Sequence, residues 1–212
     1  MRSYRRYLLD SFLKSNIKFI RGDVLDVGGN KKNKRGSFVP PIKRVSSWRY
    51  LNIDINTDPD IIASAEKIPL NDNSINTVLF TEVIEYIKSP DDALKEIRRI
   101  LRKDGCLILT SPFLHPFHAD FEHDRFRITE SALRELLIEN QFKIIKFNKM
   151  GGPGSVIYDI LRISLGYAGK NNSKVLNFVL QKSFRFFAFI DKKTKKQSKY
   201  VNTGYSFIAS KI

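Results

Sequence analysis

Two short segments hold residues whose types and spacing suit chemistry. The first, Val24-Leu25-Asp26-Val27-Gly28-Gly29-Asn30, is an apolar run that ends in two glycines behind an acid. Glycine lacks a Cβ and tolerates positive φ, so such a turn lets a ligand approach the backbone closely. The pattern is not GxGxxG, and the following KKNKRGSFVPPIKRVSSW has two prolines and no helical period. A helix N-terminus holding a pyrophosphate is therefore poorly supported, which counts against a dinucleotide. No Gly-Lys-Ser or Gly-Lys-Thr follows, which counts against a P-loop. A nucleoside without phosphates suits the turn better. Asp54, ending the next apolar run, is placed to accept hydrogen bonds from a ribose diol, although it also reads as a plain strand-end acid.

The second segment, SPFLHPFHADFEHDRFRIT, gathers all three histidines of the chain: His115, His118 and His123, interleaved with Asp120, Glu122 and Asp124. Such a cluster invites a metal reading. Pro112 and Pro116 break any regular helix, so spacing fixes no ligand geometry and no metal is assigned. Asp124 and Arg127 also suit a salt bridge that fixes the loop ahead of Thr129. The single cysteine, Cys106, rules out an internal disulfide framework, and in the apolar run CLILT it reads as a buried, inert thiol.

The elements that must position these residues alternate between strand and helix. Helical spacing of Tyr4, Leu8, Leu9, Phe12 and Leu13 predicts an amphipathic helix within 3–19. Strands are predicted at Asp23–Val27, Tyr50–Ile55, Ile75–Phe80, Cys106–Thr110, Phe142–Phe147 and Tyr205–Ser210. A helix begins after the cap Ser89 with Pro90, Asp91 and Asp92 in its first turn. Its last turns hold Arg98, Arg99, Arg102 and Lys103, and Gly105 follows its end. Thr129 caps another helix through Leu137. GGPG at 151–154 reads as a loop or hinge, two helical segments follow over 155–190, and DKKTKKQSK reads as an exposed loop. This alternation implies an open, mostly parallel α/β sheet with ligands bound beyond the carboxyl ends of its strands. The expected organisation is a core over 1–150, a helical, basic and aromatic insertion over 151–200, and a returning strand over 201–212.

The ordered set VLDVGGN, YLNIDI, ASAEKIPL, NSINTVLFTEVIEYI and RRILRKDGCLILTSP resembles the class I S-adenosylmethionine-dependent methyltransferases, in the branch of the type 11 enzymes, over roughly residues 20–150. The resemblance implies a Rossmann-like, open seven-stranded sheet with helices on both faces, a helical insertion before the last strand, and S-adenosylmethionine as cofactor. Carried over by position, Asp26, Gly28, Gly29 and Asn30 form the cofactor loop. Asp54 holds the ribose, Ile55 packs on adenine, Ser64 and Ala65 meet the adenine edge, and Phe80, Thr81 and Glu82 line the methionine side. The chain departs from the family at Asn30 (usually glycine), Ser64 (usually an acid), Tyr86 (usually histidine) and Lys103-Asp104-Gly105 (usually Pro-Gly-Gly). The histidine segment resembles a motif of methyltransferases associated with polysaccharide and lipopolysaccharide sugars, matched by His118, Asp124, Arg127 and Thr129. This implies that His118 deprotonates or orients an acceptor hydroxyl, with Asp124 holding its ring; a histidine suits that work at neutral pH. Glu85 reads as a solvated or structural acid rather than a base.

The net charge of +15 is unevenly placed: residues 1–50 carry +10, residues 170–212 carry +9, and the middle carries −4. Basic ends favour anionic partners such as nucleic acid, anionic lipid or phosphorylated substrates. Phe184, Phe186, Phe187, Phe189 and Ile190, beside Lys182, Arg185 and Lys192, suit core packing, a dimer contact or an interfacial helix. The expected partner is a small molecule, glycan or glycolipid, with peripheral contact to an anionic membrane as a further reading. RNA methylation is disfavoured because no RNA-binding module is recognisable and FTEV replaces an Asn-Pro-Pro-Tyr motif. A non-catalytic scaffold of the same fold is the alternative outside enzymology. No apolar run reaches the roughly 18 residues of a membrane span, and MRSYRRYLLD does not read as a secretory leader. The expected location is cytoplasmic, with the inner membrane face as a possible peripheral site.

Overall fold

The computed structural model describes residues 3–31, 36–117, 123–167 and 174–212. Seven strands form one sheet: β1 (Asp23–Val27), β2 (Ser47–Asn52), β3 (Ile61–Ile62), β4 (Ile75–Thr81), β5 (Leu101–Pro112), β6 (Phe142–Met150) and β7 (Gly204–Lys211). Their order is β3-β2-β1-β4-β5-β7-β6, with β7 antiparallel to both neighbours and the other pairs parallel. The order reverses between β1 and β4, so the crevice of this sheet opens past the carboxyl ends of those two strands.

Period-two alternation builds two apolar layers from single strands. Leu25, Val27, Val78, Phe80, Leu107, Leu109, Phe207 and Ala209 point to one face. There they meet Ala93, Leu94, Ile97 and Ile100 of α2 (Pro90–Ile100) and Leu133 and Leu137 of α3 (Glu130–Glu139). Val24, Leu79, Cys106, Ile108 and Ile208 point the other way, onto Leu9, Phe12 and Leu13 of α1 (Tyr4–Ser15). Cys106 is buried, and burial pushes its thiol up to about 12, which keeps it protonated and unreactive.

The local signals placed most helix starts. Ser89 and Thr129 accept from Asp92 N and Ala132 N as side-chain caps of α2 and α3. Several boundaries differ from the sequence reading. β2 ends at Asn52, leaving Asp54 and Ile55 in the loop beyond. Helix α2 ends at Ile100 rather than running through Lys103, because Leu101 already pairs with Ile75 of β4. Cys106 next pairs with Thr77, so residues 102–105 turn within β5, with Asp104 in the left-handed region. The GGPG loop is shorter than read: Gly151 and Gly152 form it, Pro153 already begins α4 (Pro153–Arg162) with Gly152 as its cap, and Ser155 Oγ accepts from the Gly152 amide at 2.8 Å. The following α5 spans Lys174–Lys193, and the expected loop after it contains a 3-10 turn, Lys195–Lys199.

Where β1 crosses to β2, no α-helix forms among the described residues; Ile42–Arg44 is a 3-10 turn. Helix α1 holds this connection instead. Asp10 Oδ2 accepts from Ser37 N at 2.5 Å and Ser37 Oγ at 3.0 Å, and Phe38, Val45 and Trp48 pack against the α1 layer.

Candidate active site

The crevice is built from four chain turns past β1, β2, β4 and β5. After β1, Gly28 has φ 73°, and its amide donates to Leu51 O at 2.7 Å. A Cβ there would lie 2.4 Å from Val83 Cγ2, and one on Gly29 would lie 2.7 Å from both Asp26 Cγ and Tyr50 Cδ1. Gly28 thus lets the β1 and β4 turns close on each other, and Gly29 lets the chain pass close to Asp26 of β1 and Tyr50 of β2. Asn52 Nδ2 donates to Gly29 O at 3.0 Å and ties this turn to β2; Asn30, the next residue, is half-buried.

Past β2, Asp54 is exposed and caps a 3-10 turn, Ile55–Thr57. Its Oδ1 accepts from Asn56 N at 2.9 Å and Asn56 Nδ2 at 2.8 Å. Among the described residues Oδ2 has no partner. Ile55 is 67% exposed, an apolar side chain beside that acid. Ser64 turns its hydroxyl to Glu66 Oε2 at 2.9 Å, while Glu66 Oε1 accepts from Ser89 N. Ala65 is buried in the core.

Past β4 the side chains of Phe80 and Glu82 are engaged within the protein. Phe80 is fully buried under α2, so only its backbone is available to a cofactor. Thr81 is half-buried and ends the strand. Glu82, at φ 56°, gives its carboxylate to Arg5 of α1: Nε to Oε2 at 2.9 Å and Nη2 to Oε1 at 2.5 Å. Thr110 Oγ1 of β5 donates to Oε1 at 2.8 Å. Both partners are buried, with Arg5 and Glu82 side chains 4% and 8% exposed. Arg5 is the residue that sequence reasoning missed. It stands 77 positions from Glu82, and no local pattern marks the pair.

Of the two readings of Glu85, solvated or structural, the structure has the second: it is fully buried on the 3-10 turn Ile84–Tyr86. Burial first, and the Glu82 carboxylate next, push its carboxyl well above the ordinary glutamate range. Burial and then Glu85 likewise push the Tyr86 hydroxyl up. The native state keeps the Glu85 proton where the unfolded chain has lost it. Its contribution to stability is greatest below the ordinary value of 4.5 and is lost as pH rises toward the raised native value. That loss runs at about 1.4 kcal/mol per pH unit. Glu85→Gln cannot ionise and is expected to lack this slope. Urea midpoints across pH check it, and parallel profiles for the two proteins would refute it.

Past β5, residues 123–127 fold back on this turn: Arg125 N and Phe126 N donate to Glu85 O at 2.8 and 3.2 Å. The Asp124 side chain is fully buried and accepts a two-pronged contact from Arg127, Nη1 to Oδ1 and Nη2 to Oδ2. Arg127 Nε also donates to His115 O at 3.2 Å, joining both sides of the loop. A cavity of about 260 Å³ opens there, lined by His115–Phe117 and Asp124–Arg127. His118 lies outside the described residues. Each Asp124 oxygen accepts from Arg127, so the salt bridge foreseen as one reading is formed. His115 is buried, its Nδ1 donating to Pro116 O at 2.8 Å and its Nε2 lying 3.5 Å from Asp159 Oδ2, whereas His123 is exposed. Among the described residues no group of three histidine, cysteine or acidic side chains is arranged to hold a metal.

Residues 35–109 match the family model described as a methyltransferase domain. No curated protein matches the sequence. Among solved structures, the chain is similar to a SAM-dependent methyltransferase from Archaeoglobus fulgidus, with TM-score 0.61, 15% identity, and 97% of this chain and 94% of that one covered. It is also similar to the 4+2-cyclase SpnF (TM-score 0.59, 16% identity, 97% and 80% covered). A third similar structure is phosphoethanolamine N-methyltransferase 2 from Haemonchus contortus in complex with S-adenosyl-L-methionine (TM-score 0.57, 14% identity, 95% and 51% covered). At these identities the likeness is one of fold. The residues present fit the nucleoside end of S-adenosylmethionine: an exposed glycine turn, an acid with Oδ2 available for a diol, and an exposed apolar side chain beside it. The chain carries a methyltransferase domain match over residues 35–109, set in the fold of the S-adenosylmethionine-dependent methyltransferases.

Proposed function

We propose that the protein transfers a methyl group to a hydroxyl of a small molecule or of a sugar in a glycan or glycolipid. The observation that carries this reading is the make-up of the cavity past β5. Phe117, 53% exposed, presents a ring with the Arg127 guanidinium 5.5 Å from its centroid, and the Asp124–Arg127 pair forms the polar wall. An aromatic face beside fixed polar groups suits a polyhydroxylated acceptor, whose C–H faces pack on the ring while its hydroxyls meet the polar wall. S-adenosylmethionine supplies an electrophilic methyl group when bound. The chain's own work is then to hold an acceptor oxygen in line and, through His118, to take its proton. The Asp124–Arg127 pair fixes the described end of the same segment.

Calorimetric titration with S-adenosylmethionine and S-adenosylhomocysteine tests the cofactor half. Asp54→Ala is expected to weaken both by about 10- to 100-fold, the worth of a hydrogen bond to a charged group. Equal affinity in the variant would remove Asp54 from the site. Methyl transfer to glycan precursors, lost in His118→Ala with cofactor affinity unchanged, tests the acceptor half. A second reading, a scaffold that keeps the fold without catalysis, is favoured by one observation: Glu82 is spent on Arg5 and Thr110. Failure of the parent protein to bind either ligand would put that reading first.

A further inference from the structure

Helix α5 has two unlike faces. Its inner face is core: Leu180 and Phe187 are buried, and Phe184 stacks on Tyr4 of α1 at 4.4 Å between ring centroids. Asp191, the helix's single acid, turns inward and accepts from Ser155 N at 3.1 Å. The outer face carries Phe178, Lys182, Arg185, Phe186, Phe189 and Lys193, all exposed and at helical spacing. The three phenylalanines are 55–60% exposed, which no core contact explains. Lys182 and Lys193 hold their ammonium groups 5.5 and 5.6 Å from the Phe178 and Phe189 rings, so cations and rings alternate along one surface. Helix α4, packed alongside, exposes Ile157, Ile160 and Leu161, and exposed Lys195, Lys196 and Lys199 extend the positive charge beyond α5.

We propose that the outer face of α5 docks the protein flat on a bilayer surface rich in anionic lipid. A bilayer offers negative headgroups and an apolar interior in one plane, which is the pairing this face presents. The phenylalanines enter the acyl boundary while lysine and arginine heads remain at the phosphates. A protein partner of matching chemistry would have to alternate acids with apolar pockets, and RNA offers nothing to the aliphatic side chains of α4. Among the described residues no helix is long and apolar enough to cross a membrane, so the contact is peripheral. The proposal stands independently of which hydroxyl is methylated.

Sedimentation of the full-length protein with vesicles tests it, using phosphatidylcholine alone and phosphatidylcholine mixed with phosphatidylglycerol. Binding is expected only to the anionic vesicles and is expected to fall with salt. Each cation removed near such a surface costs roughly fivefold, so Lys182→Gln with Arg185→Gln is expected to weaken binding about thirtyfold. Phe186→Ser with Phe189→Ser is expected to weaken it at unchanged charge. Cofactor affinity and circular dichroism equal to the parent's show that these surface variants remain folded. Four results would each overturn the proposal: equal binding to neutral vesicles, no binding to either, a lipid-free oligomer that the phenylalanine variant dissociates, or RNA binding that depends on the same cations and displaces the vesicles.

Discussion

Arg5→Ala is expected to cost the fold about 3–5 kcal/mol, the usual penalty for stripping one partner from a buried ion pair. The loss does not lie in the attraction itself, which is largely offset by the desolvation of both ions. It lies in what remains: a Glu82 carboxylate 8% exposed, close to Glu85, with Thr110 still donating to it. In a chain of this size that penalty lowers the melting temperature by on the order of 10 °C. Arg5→Met combined with Glu82→Gln removes both charges and is expected to recover most of the stability. Denaturation of the two single variants and the double variant completes the cycle. Additive losses would show that the pair is not the unit described. The same double variant releases the turn after β4 from α1, so cofactor titration of it also reports whether α1 shapes the methionine side of the crevice.

Arg127→Ala is expected to act as strongly but more locally. Asp124 has a fully buried side chain, and Arg127 is the group that both neutralises it and reaches His115 O. Removing the guanidinium leaves a buried charge in a loop, again about 3–5 kcal/mol. A loop can release that penalty by lifting off the Glu85 turn while the sheet persists. Amide exchange over 113–117 and 123–128 is therefore expected to rise far more than global stability falls. Methyl transfer is expected to collapse at nearly unchanged cofactor affinity. Arg127→Lys, which lacks the planar fork, is expected to restore little of it. Unaltered exchange in that segment would refute the role.

How much of this was legible in the chain depends on the range over which each signal acts. β1 was read to the residue, because an apolar run followed by paired glycines is a local pattern. The start of α2 was equally plain, since Ser89, Pro90 and two acids act within one turn. Its end was misread because Arg102 and Lys103 suit a helix terminus as well as they suit the twisted start of β5. What decided between them was pairing of Leu101 with Ile75, 26 positions back. The phenylalanines of α5 were read as one group; the structure divides them into inward-facing Phe184 (half-buried) and Phe187 (buried) and exposed Phe186 and Phe189. Their shared residue type carries no sign of face without the partners Tyr4 and Tyr158. The glycine turn and Asp54 were found where ligands of such a sheet bind, whereas Arg5–Glu82 was invisible. A pair joined across 77 positions leaves no trace in spacing.

The first turn of α1 is fixed by a residue made much later. Asp159 accepts from the amides of Tyr4 and Arg5, 155 and 154 positions upstream, at 2.8 and 2.9 Å. During synthesis at about 5–20 residues per second, the first turn of α1 therefore has only its local cap, Ser3, for roughly ten seconds before Asp159 emerges. Of the core neighbours that cover the apolar stripe of α1, Leu9, Phe12 and Leu13, Ile108 and Met150 are made before Asp159, and Ile208 only after it. The earliest helix to form is among the last to be secured, and a nascent chain stalled short of Asp159 presents that stripe to whatever chaperone waits at the exit tunnel.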